Sequence, residues 1–135
     1  MSERILLIDD DDSIRKVIGY MLDEAGYTAE TAASAEAGLK AFSAQRPDLV
    51  LSDIKMPKKD GIQLLGEFKS IDASVPVIIL TAFGTVETAV EAMKRGAADY
   101  LTKPISRDEL LMTVAKILKM SRLERENESL RDTKT

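Results

Sequence analysis

Hydrophobic residues along this chain follow two periods. Continuous apolar runs occur at Ile5-Leu6-Leu7-Ile8, Leu49-Val50-Leu51 and Val77-Ile78-Ile79-Leu80. Such runs suit strands buried on both faces. Elsewhere apolar residues recur three and four apart, as in one-sided helices. The first helical set is Ile14, Val17, Ile18, Met21, Leu22 and Ala25, and Gly26 follows it in the position that ends a helix. A second set, with Leu39 and Phe42 inward, runs from a Ser34 cap to Gln45, before Pro47. The third carries Ile62, Leu65, Phe68 and Ile71. The fourth opens at Thr85 with Val86, Ala89, Val90 and Met93, and Gly96 ends it. The fifth carries Leu110, Val114, Ile117 and Leu118 behind Ser106 and Glu109, which have the spacing of a capping box. Two weaker strands complete the pattern: a polar one over 27–32 and a short one over 99–101.

Strands and helices therefore alternate, five of each. That alternation predicts an α/β fold with a doubly wound, five-stranded parallel sheet covered by helices on both faces. The polar second strand belongs at an edge. The order 2-1-3-4-5 satisfies this and puts the switch point between strands 1 and 3. No repeat or low-complexity linker interrupts the chain. Residues 1–119 form one domain, and the charged tail over 120–135 reads as a helical linker continuing the fifth helix.

Composition narrows the chemistry. The chain has 135 residues, an apolar fraction of 44% and a net charge of -4, so it lacks the basic footprint of a nucleic-acid-binding domain. It contains neither cysteine nor histidine. Disulfides, thiolate metal sites, cysteine nucleophiles and histidine catalysis are all excluded. The composition fits a cytoplasmic setting, and no apolar stretch is long enough to span a bilayer.

The stretch Asp48 to Gly61, DLVLSDIKMPKKDG, is the centre of the functional reading. Asp53 stands where the third strand ends, at the edge where open parallel sheets bind ligands, and Pro57 and then Asp60-Gly61 break regular structure just after it. In the order 2-1-3-4-5 it faces Asp9 and Asp10 at the end of strand 1. Crowded carboxylates raise one another's pKa, and a divalent cation relieves the conflict. Oxygen donors alone favour Mg²⁺ or Mn²⁺. Asp11 and Asp12 read instead as favourable charges at a helix N-terminus. Strand 4 delivers Thr81 and strand 5 leads to Lys103. A cis Lys103–Pro104 bond would aim that lysine inward. Carboxylate, metal, hydroxyl and lysine are the parts that hold a phosphoryl group, with a carboxylate as in-line nucleophile.

The motifs IDDDD, LSDIKMPKKDG, ILTAFG and YLTKP, in this order, resemble the receiver domains of bacterial two-component response regulators, with their flavodoxin-like, CheY-like fold. The resemblance covers residue 4 to about residue 119. It implies that Asp53 accepts a phosphoryl group from a phosphohistidine on a sensor histidine kinase, and later loses it to water. Mg²⁺ would be held by Asp10 and Asp53 with the Lys55 carbonyl, and by Asp9 mainly through water. Thr81 and Lys103 would grip the phosphate, and Tyr100 would change rotamer on activation. The segment TAFGTVETAVEAMKRGAADYLTKP and the tail LERENESLR are similar to the NtrC-type, sigma-54-dependent activators. In those, a helix joins the receiver to an AAA+ ATPase and a DNA-binding domain, so such domains are implied downstream in the full-length protein.

In the tail, Met120, Leu123, Asn127 and Leu130 have the three-four-three spacing of heptad a and d positions. Leu at d with one Asn at a favours a parallel two-stranded coil, hence a homodimer. Other readings fare worse. A dinucleotide-binding enzyme needs a glycine-rich first turn, where this chain has four aspartates. A phosphatase of the haloacid dehalogenase type needs an Asp two residues after its nucleophile, where this chain has Lys55. A degenerate receiver that only docks would not keep the full set of site residues.

Overall fold

The three apolar runs become the centre of the sheet. The computed structural model describes residues 2–82 and 86–133, and the side chains of 2–82 and 87–126. Strands β1 (Arg4–Ile8), β2 (Thr28–Ala32), β3 (Leu49–Asp53), β4 (Val77–Thr81) and β5 (Asp99–Thr102) alternate with helices. The helices are α1 (Asp12–Glu24), α2 (Ala35–Ala44), α3 (Gly61–Ile71), α4 (Val86–Lys94) and α5 (Arg107–Thr133). All strand pairs are parallel, in the order β2-β1-β3-β4-β5. The polar strand β2 lies at an edge as expected, with Arg4 and Glu30 paired across it at 2.7 Å.

Successive residues of a strand point to opposite faces, so each apolar run feeds two cores. Leu6, Ile8, Val50, Val77 and Ile79 pack with Phe42 of α2, Leu64, Leu65 and Phe68 of α3 and Ala92 of α4. Ile5, Leu7, Leu49, Leu51, Ile78 and Leu80 pack with Ile18 and Leu22 of α1 and with Leu110, Val114, Ile117 and Leu118 of α5. Each fully buried side chain of this size contributes roughly 1.5–3 kcal/mol relative to exposure. The rings of Phe42 and Phe68 meet at 4.5 Å between centroids and tie α2 to α3.

Local signals set most helix ends. Asp11 caps α1, its side chain accepting from the Ser13 and Ile14 N–H groups at 2.8 and 3.1 Å. Gly26 follows at φ 97°, a conformation that glycine adopts without strain. Ser34 caps α2 as expected. Ser106 Oγ accepts from the Glu109 N–H at 3.4 Å at the start of α5. The Thr85 cap falls outside the described residues. Asp60, read from sequence only as a breaker, forms a capping box with Gln63 that opens α3.

Helix α4 departs from its apolar pattern. It buries the small Ala89 and Ala92, while Val90 and Met93 are exposed. Two alanines let the helix approach the sheet closely, and the larger residues are left for the surface. Helix α5 is continuous well past the body of the domain. Leu118 and Ser121 are buried against that body, whereas Met120 and Leu123 are each 50% exposed. Asn127 and Leu130 lie on the same helix, but their side chains are outside the described set.

Candidate functional site

Four strand ends meet at one edge. The β1–β3 register pairs Ile8 with Ser52, which brings the next residues, Asp9 and Asp53, side by side. Asp53 is opposite Leu80 in β4, so Thr81 follows at the same level. Thr81 pairs with Thr102 of β5, and Lys103 comes next. The Lys103 N–H donates to the Thr81 carbonyl at 2.7 Å, and the Lys103–Pro104 peptide is cis. The side chains of Asp9, Asp53, Thr81 and Lys103 are thus delivered by adjacent strands.

Lys103 is the hub. Its Nζ donates to Asp9 Oδ2 at 2.9 Å and lies 3.2 Å from Asp53 Oδ1. Asp9 is fully buried, and its Oδ1 accepts from the Asp11 N–H at 2.9 Å. The Lys55 N–H reaches Asp53 Oδ1 at 3.5 Å. Burial first, and the Asp9 charge second, push the Asp53 carboxyl above the usual carboxylate range, against the pull of Lys103. Burial alone would lower the Lys103 ammonium. Its hydrogen bond to Asp9 and the charge of Asp53 outweigh burial and hold it above its ordinary range. The asymmetry has a simple cause: one cation serves two carboxylates that repel each other.

Asp9, Asp10 and Asp53 each offer one carboxylate oxygen, and the three oxygens lie within 4.8 Å of one another. Asp9 and Asp53 are buried and Asp10 is exposed. An all-oxygen cluster with an exposed member fits a hard divalent cation that keeps some of its water. Thr81 is buried at the next strand end, and Tyr100, on β5, is 42% exposed. Asp11 and Asp12 are not part of the cluster: the first caps α1 and the second pairs with Arg15.

Two residues that shape the site were not singled out from sequence. A Cβ on Gly61 would sit 2.5 Å from the Asp53 carbonyl oxygen and 2.7 Å from Ile54 Cα. The Gly61 N–H donates to the Ile54 carbonyl at 2.7 Å, so only glycine lets α3 start this close to the end of β3. Arg15 Nη1 donates to the Asp9 carbonyl at 2.6 Å. Its one sequence signal is its place three residues after Asp12 on the first turn of α1.

The profile of the response regulator receiver domain matches residues 5–115. The chain belongs to the response regulator receiver domain family. Among its relatives is the regulatory protein AtoC of Escherichia coli, 40% identical over 123 residues, which are 91% of this chain and 27% of AtoC. The structure of NtrX from Brucella abortus superposes with a TM-score of 0.92 at 36% identity, over 96% of this chain and 30% of that one. A receiver domain protein from Clostridium thermocellum superposes with a TM-score of 0.85 at 36% identity, over 90% of this chain and 98% of that one. The chain thus spans under a third of the length of AtoC and NtrX and nearly all of the crystallised receiver domain protein from Clostridium thermocellum. The subfamily expected from its motifs, the NtrC-type activators, is the one to which AtoC and NtrX belong. Among the described residues, no helix is long and apolar enough to cross a membrane.

Proposed function

We propose that this receiver is the phosphoacceptor of a cytoplasmic two-component relay, with Asp53 as the acceptor. The observation that carries the reading is the Asp53 carboxylate, buried beside Asp9 and held 3.2 Å from Lys103 at the meeting of strand ends. An Asp53 oxygen attacks phosphorus on the phosphohistidine of a sensor histidine kinase. A P–O bond forms, the P–N bond breaks, and the imidazole leaves with the electron pair. Asp9, Asp10, Asp53 and the Lys55 carbonyl would hold Mg²⁺. That ion supplies charge neutralisation for the equatorial phosphoryl oxygens. Lys103 adds a second positive charge, and the Thr81 hydroxyl donates to a phosphoryl oxygen. Water attacking the acyl phosphate reverses the modification: the P–O bond to Asp53 breaks and inorganic phosphate leaves.

The output face in this reading is α4, β5 and α5. Val90, Met93 and Tyr100 are large apolar residues exposed on the first two of these elements, as interaction surfaces often are. Phosphorylation draws Thr81 inward and Tyr100 into the space it leaves. Residues 1–119 are the receiver and 120–135 a linker that pairs two chains through Met120, Leu123, Asn127 and Leu130. In the full-length protein this linker leads to an AAA+ ATPase and a DNA-binding domain, and the receiver itself contacts no nucleic acid. A small phosphodonor with Mg²⁺ should add one phosphoryl group by intact mass, chelation should prevent it, and Asp53→Asn should abolish it. Full labelling of the Asn variant would overturn the assignment.

A further inference from the structure

We propose that Arg15 is a positioning residue for the divalent cation: it clamps the β1–α1 turn and so fixes where Asp9 and Asp10 present their carboxylates. The inference rests on the reading that this cluster binds Mg²⁺. Asp9, Asp10, Asp11 and Asp12 are four like charges in succession. Left alone, such a run splays to separate its charges. Arg15 ties its two ends together. One guanidinium nitrogen donates to the Asp9 carbonyl at 2.6 Å, and the other pairs with the Asp12 carboxylate. The guanidinium is a planar fork with fixed spacing, so holding one end defines the other. Although α1 is polar on this side, the Arg15 side chain is only 16% exposed while its partner Asp12 is 80% exposed.

The rest of the turn is already committed. Asp11 caps the helix, and the two oxygens of the Asp9 carboxylate take the Asp11 N–H and the Lys103 ammonium. Asp10 therefore hangs between fixed neighbours, and the Asp9 carbonyl is the point at which Arg15 fixes the backbone from outside the turn. Two effects of removing Arg15 oppose each other. Loss of a nearby positive charge would tighten cation binding. Loss of the clamp would weaken it. The charge effect is small, because the Arg15 charge is already offset by the paired Asp12 carboxylate. Residues that orient the ligands of a metal typically matter 10–100-fold in affinity. The clamp should therefore win.

The test is a Mg²⁺ titration of the whole chain, followed by amide NMR shifts and calorimetry, beside melting curves with and without Mg²⁺. Wild type should bind, and Asp10→Asn should weaken binding, which establishes the site itself. Arg15→Ala should then weaken binding roughly ten-fold. Arg15→Lys, which retains the charge and one contact, should recover part of the loss. The melting temperature without Mg²⁺ should change little in Arg15→Ala, while its rise on adding Mg²⁺ shrinks. Binding by Arg15→Ala equal to or tighter than wild type, with Asp10→Asn weakened, would overturn the role of Arg15 and leave the metal reading intact. Absence of binding by wild type would overturn both.

Discussion

Asp53 ionises at a cost. Burial and the Asp9 charge hold its carboxyl above the ordinary value of 3.8. Between that value and the raised one, the folded chain binds more protons than the unfolded chain. Stability therefore falls as pH rises through that window, and the full loss applies above it. Asp53→Asn removes the cost. Without Mg²⁺ it should melt higher than wild type at neutral pH, and the difference should vanish below about pH 3.8. Thermal melts across the acid range check the sign, and a variant that melts lower at neutral pH would contradict it. Gly61 makes a second prediction at this scale. Gly61→Ala drives a methyl into the backbone at Asp53 and Ile54, and overpacking of this kind costs about 1–3 kcal/mol. Urea unfolding should show that loss, and the phosphorylation rate should fall with it because the clash is with Asp53 itself. Asp53 was legible in sequence because it ends an apolar run before a Pro and Gly loop. Gly61 was legible as a breaker but not as a contact, since close approach is a property of two segments and neither one shows it alone.

At the scale of elements, period decided what could be read. The strands β1, β3 and β4 are unbroken apolar runs and lie where the sequence puts them. Helix α4 misled in part: Ala89 is buried as its spacing predicts, but Val90 and Met93 are exposed and the unpredicted Ala92 makes the other buried contact. The capping box at Asp60 and Gln63 is masked in the sequence because Asp60-Gly61 also reads as a turn. The tail is the element with the most at stake. Leu118 and Ser121 are buried against the body while Met120 and Leu123 are half exposed, so a second chain can pair along their open sides without detaching the helix. Lys116, one turn before Met120, pairs with Asp99 at 3.3 Å and marks where such a seam would end. Sedimentation of the full chain should show self-association that is lost in a chain ending at Lys119. Monomers in both, at all concentrations and with or without a phosphodonor, would make the tail a linker only.

Across the whole molecule, one modified residue on β3 must move a surface that begins two strands away, at β5. Reversing a two-state equilibrium from mostly off to mostly on takes about 5.5 kcal/mol of differential binding. One charge-assisted hydrogen bond supplies roughly 1.5–3 kcal/mol. The proposed switch should therefore need both Thr81 and Lys103. Thr81→Ala should accept phosphate yet leave the amide NMR spectrum of α4 and β5 unshifted, and a wild-type-like shift in that variant would rule the route out. Mg²⁺ alone should stabilise the fold by mass action. At ten times its dissociation constant the gain is about 1.4 kcal/mol, which raises the melting temperature by roughly 5 °C. Asp10→Asn should reduce that rise more than Asp12→Asn. Trapping the acyl phosphate tests the role of Asp53 most directly. Borohydride reduces a phosphorylated aspartate to homoserine, and peptide mass spectrometry reads its position. Homoserine is expected at position 53 alone, and homoserine at position 9 or 10 with none at 53 would contradict the assignment of Asp53.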